Sequence, residues 1–150
     1  MTWLGKASGW TLAADRHFME RYAALVVATE GERDRLGGGE PNNLEAKLLF
    51  AVKELVFSKI PADPMNQNYI LGNTLGPYFR AWRRAKFFQQ YRLFYRFHSG
   101  KKIIVYSWFN DEKTLRAYGS KADAYKEFAR MLENGKPPTD FDELIGYLGK

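Results

Sequence analysis

A chain of 150 residues, 45% hydrophobic and 27% charged, has the size and make-up of one folded domain, which excludes intrinsic disorder and collagen-like repetition. The absence of cysteine excludes disulfides, thiolate metal sites and cysteine nucleophiles. No apolar run approaches the roughly 18 residues that a membrane-spanning helix needs, and Met1–Lys6 does not read as a signal peptide. The expectation is therefore a cytoplasmic domain over residues 1–150.

The net charge of +6 belongs to one stretch. Residues 1–64 and 111–150 each carry one more acidic than basic side chain. Residues 65–110 carry Arg80, Arg83, Arg84, Lys86, Arg92, Arg96, Lys101 and Lys102 with no Asp or Glu, together with 13 of the 24 aromatic residues. A field of one sign attracts polyanions, and rings beside it can stack on bases.

In chain order, Trp10–Ala14 reads as a strand, and Asp15 follows as the cap of a helix with Phe18, Tyr22, Leu25, Val26 and Thr29 on one face. Gly37–Gly39 and Pro41 break that helix. A second begins near Asn43, with Leu44, Leu48, Ala51, Val52, Leu55 and Val56 as its buried stripe, and Pro61 and Pro64 end it. The two helices predict an antiparallel hairpin. From Trp82 the period falls to two. Trp82, Arg84, Lys86 and Phe88 share one side of a strand, and Arg83, Ala85 and Phe87 the other. In the next strand Tyr91, Leu93, Tyr95 and Phe97 alternate with Arg92, Phe94, Arg96 and His98. Ser99-Gly100 signals a two-residue hairpin turn into the strand Lys101–Asn110. Ser120–Asp123 reads as a capping box for a third helix with Ala122, Tyr125, Phe128, Ala129 and Leu132 on its apolar face. Asn134-Gly135 and Pro137-Pro138 stop it, and a short helical piece over 141–148 packs on the body. The sum is an α+β domain in which a small antiparallel sheet lays one face on the helical hairpin and turns a basic face outward.

Several chemistries lack their parts. There is no phosphate-binding Gly-x-x-x-x-Gly-Lys loop and no Gly-x-Gly-x-x-Gly after a strand. His17 and His98 lie apart with no carboxylate at ligand spacing, so neither a metal nor a cofactor is expected. An array of Arg and Lys can still act on phosphodiesters. RNA brings its own nucleophile, the 2′-hydroxyl, and the protein has only to hold it in line and neutralise charge on the phosphoryl oxygens. Arg suits that task because its planar fork grips two oxygens and stays charged when partly buried. On these residues alone, RNA cleavage and RNA binding without cleavage remain equal readings.

Trp82-Arg-Arg-Ala-Lys86 followed by Tyr91-Arg-Leu-Phe-Tyr-Arg96 resembles the core of the RelE/ParE toxin superfamily. With Trp108–Gly119, Ala124-Tyr125, Met131-Leu132 and Gly135–Pro138, the set is similar to the YhaV family of type II toxin–antitoxin toxins. That resemblance implies a RelE-like fold and a metal-independent endoribonuclease that cleaves mRNA, arrests translation and is silenced by an AbrB-like antitoxin. It also implies site residues. Arg84 and Lys86 match the alternating basic pair beside the scissile phosphate, Arg92 is the Arg of Tyr-Arg-Leu, and Tyr118 matches a tyrosine that stacks on a base or helps proton transfer. Two positions depart from the pattern. Phe87–Gln90 replaces a turn that carries Gly, and Asn110-Asp111-Glu112 stands where an Arg is usual, with Arg116 as its substitute and Asp111 or Glu112 as a candidate base.

Plainer readings stand beside these. Arg92 and Arg96 could form ion pairs with Asp111 and Glu112, Tyr118 could be core, and Trp82 and Trp108 read as packing residues. Arg80, Arg83 and Arg96 are candidates for RNA contact; Arg80 and Arg83 could equally bind an acidic antitoxin tail. A gyrase-directed toxin would share the core motif but not the full ordered set.

Overall fold

The structure is a computed structural model that describes residues 2–117 and 123–148. Its elements run β1 (Thr2–Ala7), β2 (Trp10–Ala14), α1 (Arg16–Arg35), α2 (Leu44–Glu54), α3 (Ile60–Ala62), β3 (Arg83–Phe87), β4 (Tyr91–His98), β5 (Ile103–Phe109), α4 (Ala124–Glu133) and α5 (Phe141–Leu148). The expected helix caps are present. Asp15 accepts the Phe18 N–H at 3.0 Å to start α1, and Asn43 accepts the Ala46 N–H at 3.1 Å to start α2.

Pro61 does not end the second helix. A π-helical turn over Leu55–Lys59 shifts the bonding so that the Ile60 N–H reaches the Leu55 carbonyl, and the helix continues through α3. The Val56 carbonyl, which would next look to Pro61 and finds no N–H there, accepts instead from the Tyr106 hydroxyl at 2.7 Å. Leu44, expected in the buried stripe, is half-exposed at the first position of α2; Leu48, Leu49, Val52, Leu55 and Val56 are buried.

The sheet has five strands in the order β1-β2-β5-β4-β3. It is mixed rather than antiparallel. β5 closes a three-stranded antiparallel meander, so it runs in the same sense as β3, and β2 meets it in parallel with Leu12 opposite Ile104. The extra strand β1 pairs with β2 through a two-residue turn, Ser8-Gly9, whose φ values of 51° and 84° are those a tight hairpin requires. The turn after β4 is longer than expected, with His98 opposite Ile103.

Both faces of the sheet are covered, and here the expectation of an outward basic face fails. On one face Leu12, Ala85, Leu93, Tyr95, Ile104 and Tyr106 pack against α1 and α2. On the other, Ala13, Phe94, Val105 and Trp108 pack beneath Phe128 and Leu132 of α4 and Phe141 and Leu144 of α5. Phe94 and Phe128 stack at 4.3 Å between centroids, with Trp108 parallel to Phe128 at 5.9 Å. An apolar stripe on α4 must be buried somewhere, and this face of the sheet offers the matching aromatic surface. Asp123, not Ser120, caps α4, accepting from the Tyr125 and Lys126 N–H groups; Ser120 and Ala122 lie outside the described residues.

Candidate functional site: an arginine–tyrosine cluster at the sheet edge

β3 is an edge strand, and its period of two places Arg84 and Lys86 on the face that α4 covers. Lys86 stands directly opposite Arg92 of β4, so the three cations form one group. α4 begins over this group and contributes Tyr125. The Nε–H of Arg84 and the Nε–H of Arg92 both donate to the Tyr125 hydroxyl, each at 2.9 Å. The Arg116 guanidinium lies over the same ring, 4.9 Å from its centroid.

Each arginine is fixed by further contacts. Arg84 donates to the Asn68 carbonyl at 2.8 Å, and Arg92 donates to the Gln89 and Tyr91 carbonyls at 2.7 and 2.9 Å. Arg92 is buried and Arg84 half-buried. Neither pairs with a carboxylate among the described residues, so neutral oxygens orient them and their charge is not cancelled. Lys86 is exposed and has no bonding partner among the described residues. Arg116 differs, forming a 2.7 Å ion pair with Asp123. Burial alone would raise the Asp123 carboxyl, but Arg116 and the Ala117 and Tyr125 N–H groups outweigh it and hold the group below its ordinary value.

The loops around the cluster are locked. Phe88 and Gln89, with φ of 42° and 60°, make a tight left-handed turn between β3 and β4, and this turn aims the Gln89 carbonyl at Arg92. Buried Asn110 accepts the Arg92 N–H at 2.7 Å and donates to the Gln90 and Thr114 carbonyls. The Arg116 N–H donates to the Gln90 carbonyl at 2.8 Å, which brings the segment after β5 back to the site.

The structure therefore brings together Arg84, Lys86, Arg92 and Arg116. Tyr118 lies outside the described residues. Arg80 is exposed, and Arg83 points to the opposite face, 5.4 Å over the Phe97 ring. Arg96 does not join the cluster; it donates to the Thr139 carbonyl between Trp82 and Phe141, where burial pushes its guanidinium down from its ordinary value. The ion pairs drawn from Arg92 and Arg96 to Asp111 and Glu112 do not form. Asp111 instead closes its own turn by accepting the Lys113 N–H at 2.9 Å. Trp82 and Trp108 are buried packing residues, as read from the sequence. Tyr125 was expected only as part of an apolar stripe; its ring is there, but its hydroxyl reaches the cations. A tyrosine two residues after an Asp cap, on a helix laid over a basic strand, is the signal that was available.

Among the described residues no group of three His, Cys, Asp or Glu side chains comes together as a metal site, and no helix is long and apolar enough to cross a membrane. A cleft of about 430 Å³ lies elsewhere, lined by Arg33, Lys47, Phe50, Lys53 and Phe88, and holds none of the cluster.

The family model for Toxin_YhaV, described as a toxin with endonuclease activity of a toxin–antitoxin system, matches residues 12–148. The chain is 39% identical over 145 residues to the ribonuclease toxin YhaV of Escherichia coli K12, covering 93% of this chain and 92% of that protein. It has the same identity and coverage with toxin YhaV of Escherichia coli O6:H1. No solved structure gives a significant match.

Proposed function

The chain belongs to the YhaV family of toxin–antitoxin toxins and is an endoribonuclease toxin, and from this we propose that Arg84, Lys86 and Arg92 form the phosphate-stabilising set of a metal-independent mRNA cleavage. The observation that carries the reading is the convergence of two guanidinium groups on one tyrosine hydroxyl, with a lysine opposite and, among the described residues, no carboxylate paired with any of the three.

The RNA 2′-hydroxyl attacks the adjacent phosphorus and the 5′-oxygen leaves. Charge builds on the two non-bridging oxygens, and preorganised cationic donors stabilise it most where water is excluded. Arg92 supplies the fixed, buried charge, Arg84 the half-buried one beside it, and Lys86 the mobile cation at the sheet edge. Arg116 holds the Tyr125 ring from above, and Tyr118 stacks on a neighbouring base. Arg80 and Arg83 guide the strand or meet the antitoxin, and Arg96 serves the fold. DNA, without a 2′-hydroxyl, is not cleaved by this route.

The fold is a RelE-like domain over residues 1–150, with its helical hairpin, sheet and C-terminal helices. The protein acts in the cytoplasm on mRNA, free or on the ribosome, arrests translation, and is neutralised by an AbrB-like antitoxin. The test is incubation of purified, antitoxin-free protein with end-labelled mRNA in EDTA. Discrete cuts ending in 2′,3′-cyclic phosphate, weakened by Lys86→Ala, are expected. Intact RNA with and without translating ribosomes refutes the reading.

A further inference from the structure

The Tyr125 hydroxyl is buried among cations, and its bonding is unusual for a tyrosine that merely packs. A phenol oxygen can accept two hydrogen bonds and donate one. Both acceptor positions here are taken, by the Arg84 and Arg92 Nε–H groups at 2.9 Å each. The hydroxyl's own proton has no acceptor among the described residues. A fully packed tyrosine in the same molecule behaves otherwise: Tyr106 donates to the Val56 carbonyl and Tyr95 to the Pro64 carbonyl. Tyr125 alone of these three carries an unspent donor, and it does so between the cations assigned to the phosphate.

We propose that Tyr125 is the general acid of the cleavage, giving its proton to the departing 5′-oxygen. The inference rests on the metal-free 2′-hydroxyl route above and assigns the proton that route left unplaced. In the step, the bond from the 2′-oxygen to phosphorus forms, the bond from phosphorus to the 5′-oxygen breaks, and the 2′-hydroxyl proton passes to water. The phenol proton goes to the 5′-oxygen, and the phenolate left behind regains a proton from water after product leaves. The Arg84 and Arg92 Nε–H groups already point at the oxygen on which the charge develops. The guanidinium of Arg116, 4.9 Å from the ring centroid, helps to hold the phenol in place. On the β3 side, half-buried Arg84 and exposed Lys86 leave the cluster open to a phosphodiester.

A base role for the same oxygen is disfavoured by geometry. The neutral phenol has no acceptor position left to take a proton, since both are occupied. A purely positioning role would use the ring, which packs edge-on against Phe94 at 5.8 Å, and the two acceptor sites of the oxygen, but not its proton.

The experiment compares single-turnover cleavage of two short RNAs of one sequence, one with the natural 5′-oxygen at the cut and one with sulfur there. A thiolate leaves without protonation. Tyr125→Phe, which keeps the ring but releases both arginine Nε–H groups, is expected to slow the oxygen substrate about 10²- to 10⁴-fold more than the sulfur substrate. Equal slowing of both substrates overturns the assignment and makes Tyr125 a positioning residue; no slowing of either overturns it as well. Fluorotyrosine at position 125, which preserves the packing and makes the phenol more acidic, is expected to move the high-pH limb of the rate profile to lower pH, and an unmoved limb counts against the proposal. Failure of the underlying reading looks different: the wild-type protein itself then gives no cyclic phosphate.

Discussion

Lys86 and Arg92 face each other across β3 and β4, yet their removal is expected to separate activity from stability. The Arg92 side chain is buried and donates three hydrogen bonds, to Tyr125, Gln89 and Tyr91, at 2.7 to 2.9 Å. Hydrogen bonds from a charged group contribute roughly 1.5–3 kcal/mol each and do not sum fully, so Arg92→Ala should cost about 3 kcal/mol. With a urea dependence near 2 kcal/mol per molar, the midpoint falls by about 1.5 M. Lys86 is exposed with no partner among the described residues, and Lys86→Ala should stay within about 0.5 kcal/mol of wild type. If the proposed site is right, both variants lose a cation from the phosphate, a loss that typically costs about 10²- to 10³-fold in rate. Urea unfolding beside single-turnover cleavage reads both quantities. Equal midpoints for the two variants would refute the structural role of the Arg92 bonds, and wild-type cleavage by Lys86→Ala would remove the lysine from the site.

Burial, partly offset by the Phe18 and His17 N–H groups, raises the carboxyl of Asp15 from 3.8 to about 7. The folded protein therefore holds that proton more tightly than the unfolded chain, and the associated stability is whole below pH 4 and lost as pH rises to about 7, by up to roughly 4 kcal/mol. Asp15→Asn, an equally good cap that does not titrate, should flatten this decline between pH 4 and 8; parallel urea midpoints would refute it. Asp123→Ala removes a helix cap and the Arg116 pair together, so it should cost about 2 kcal/mol or more and reduce cleavage by loosening the ring of Tyr125; an unchanged melting temperature would count against this. Gln89→Asn relieves a left-handed position at φ 60° that an L side chain enters at a cost near 1 kcal/mol, so the melting temperature should rise by about 2 °C with cleavage unaltered.

The parts of the fold that were legible are those written in neighbouring residues. Asp15 and Asn43 cap their helices because a short acceptor side chain before an apolar stripe has one good local use. The strands of the meander follow from their period-two alternation, although both faces of the sheet prove to be covered. What stayed hidden depends on contacts between distant segments. The apolar stripe of α4 was readable, but nothing local says that it lies on the face carrying Arg92 and Phe94. β1 was missed although Ser8-Gly9 is the same dipeptide that was read as a two-residue turn at Ser99-Gly100, where the turn is in fact longer; Thr2–Ala7 alternates too weakly to announce a strand. That Arg84, Lys86 and Arg92 lie together could be read from their spacing and the family resemblance, whereas the approach of the Tyr125 hydroxyl to them could not, since a tyrosine in an amphipathic helix advertises its ring.

The acid-free composition of residues 65–110 acquires a physical reason in this arrangement. Buried arginines need acceptors, and carboxylates are the strongest ones available. A carboxylate beside Arg84 or Arg92 would satisfy the guanidinium and also spend its charge, leaving little attraction for a phosphodiester. Backbone carbonyls of Asn68, Gln89 and Tyr91 and the Tyr125 hydroxyl satisfy the same N–H groups while leaving the charge intact. Among the described residues, the arginine of the cluster that does pair with a carboxylate, Arg116 with Asp123, draws its partner from outside the acid-free stretch and lies over the Tyr125 ring. Orientation is thus supplied by neutral oxygens where charge has to remain available, and by an ion pair where only position matters. The three strands could carry such a field only if α4 covered the adjoining aromatic surface, so the helix that closes the second core also delivers the hydroxyl on which the two arginines meet.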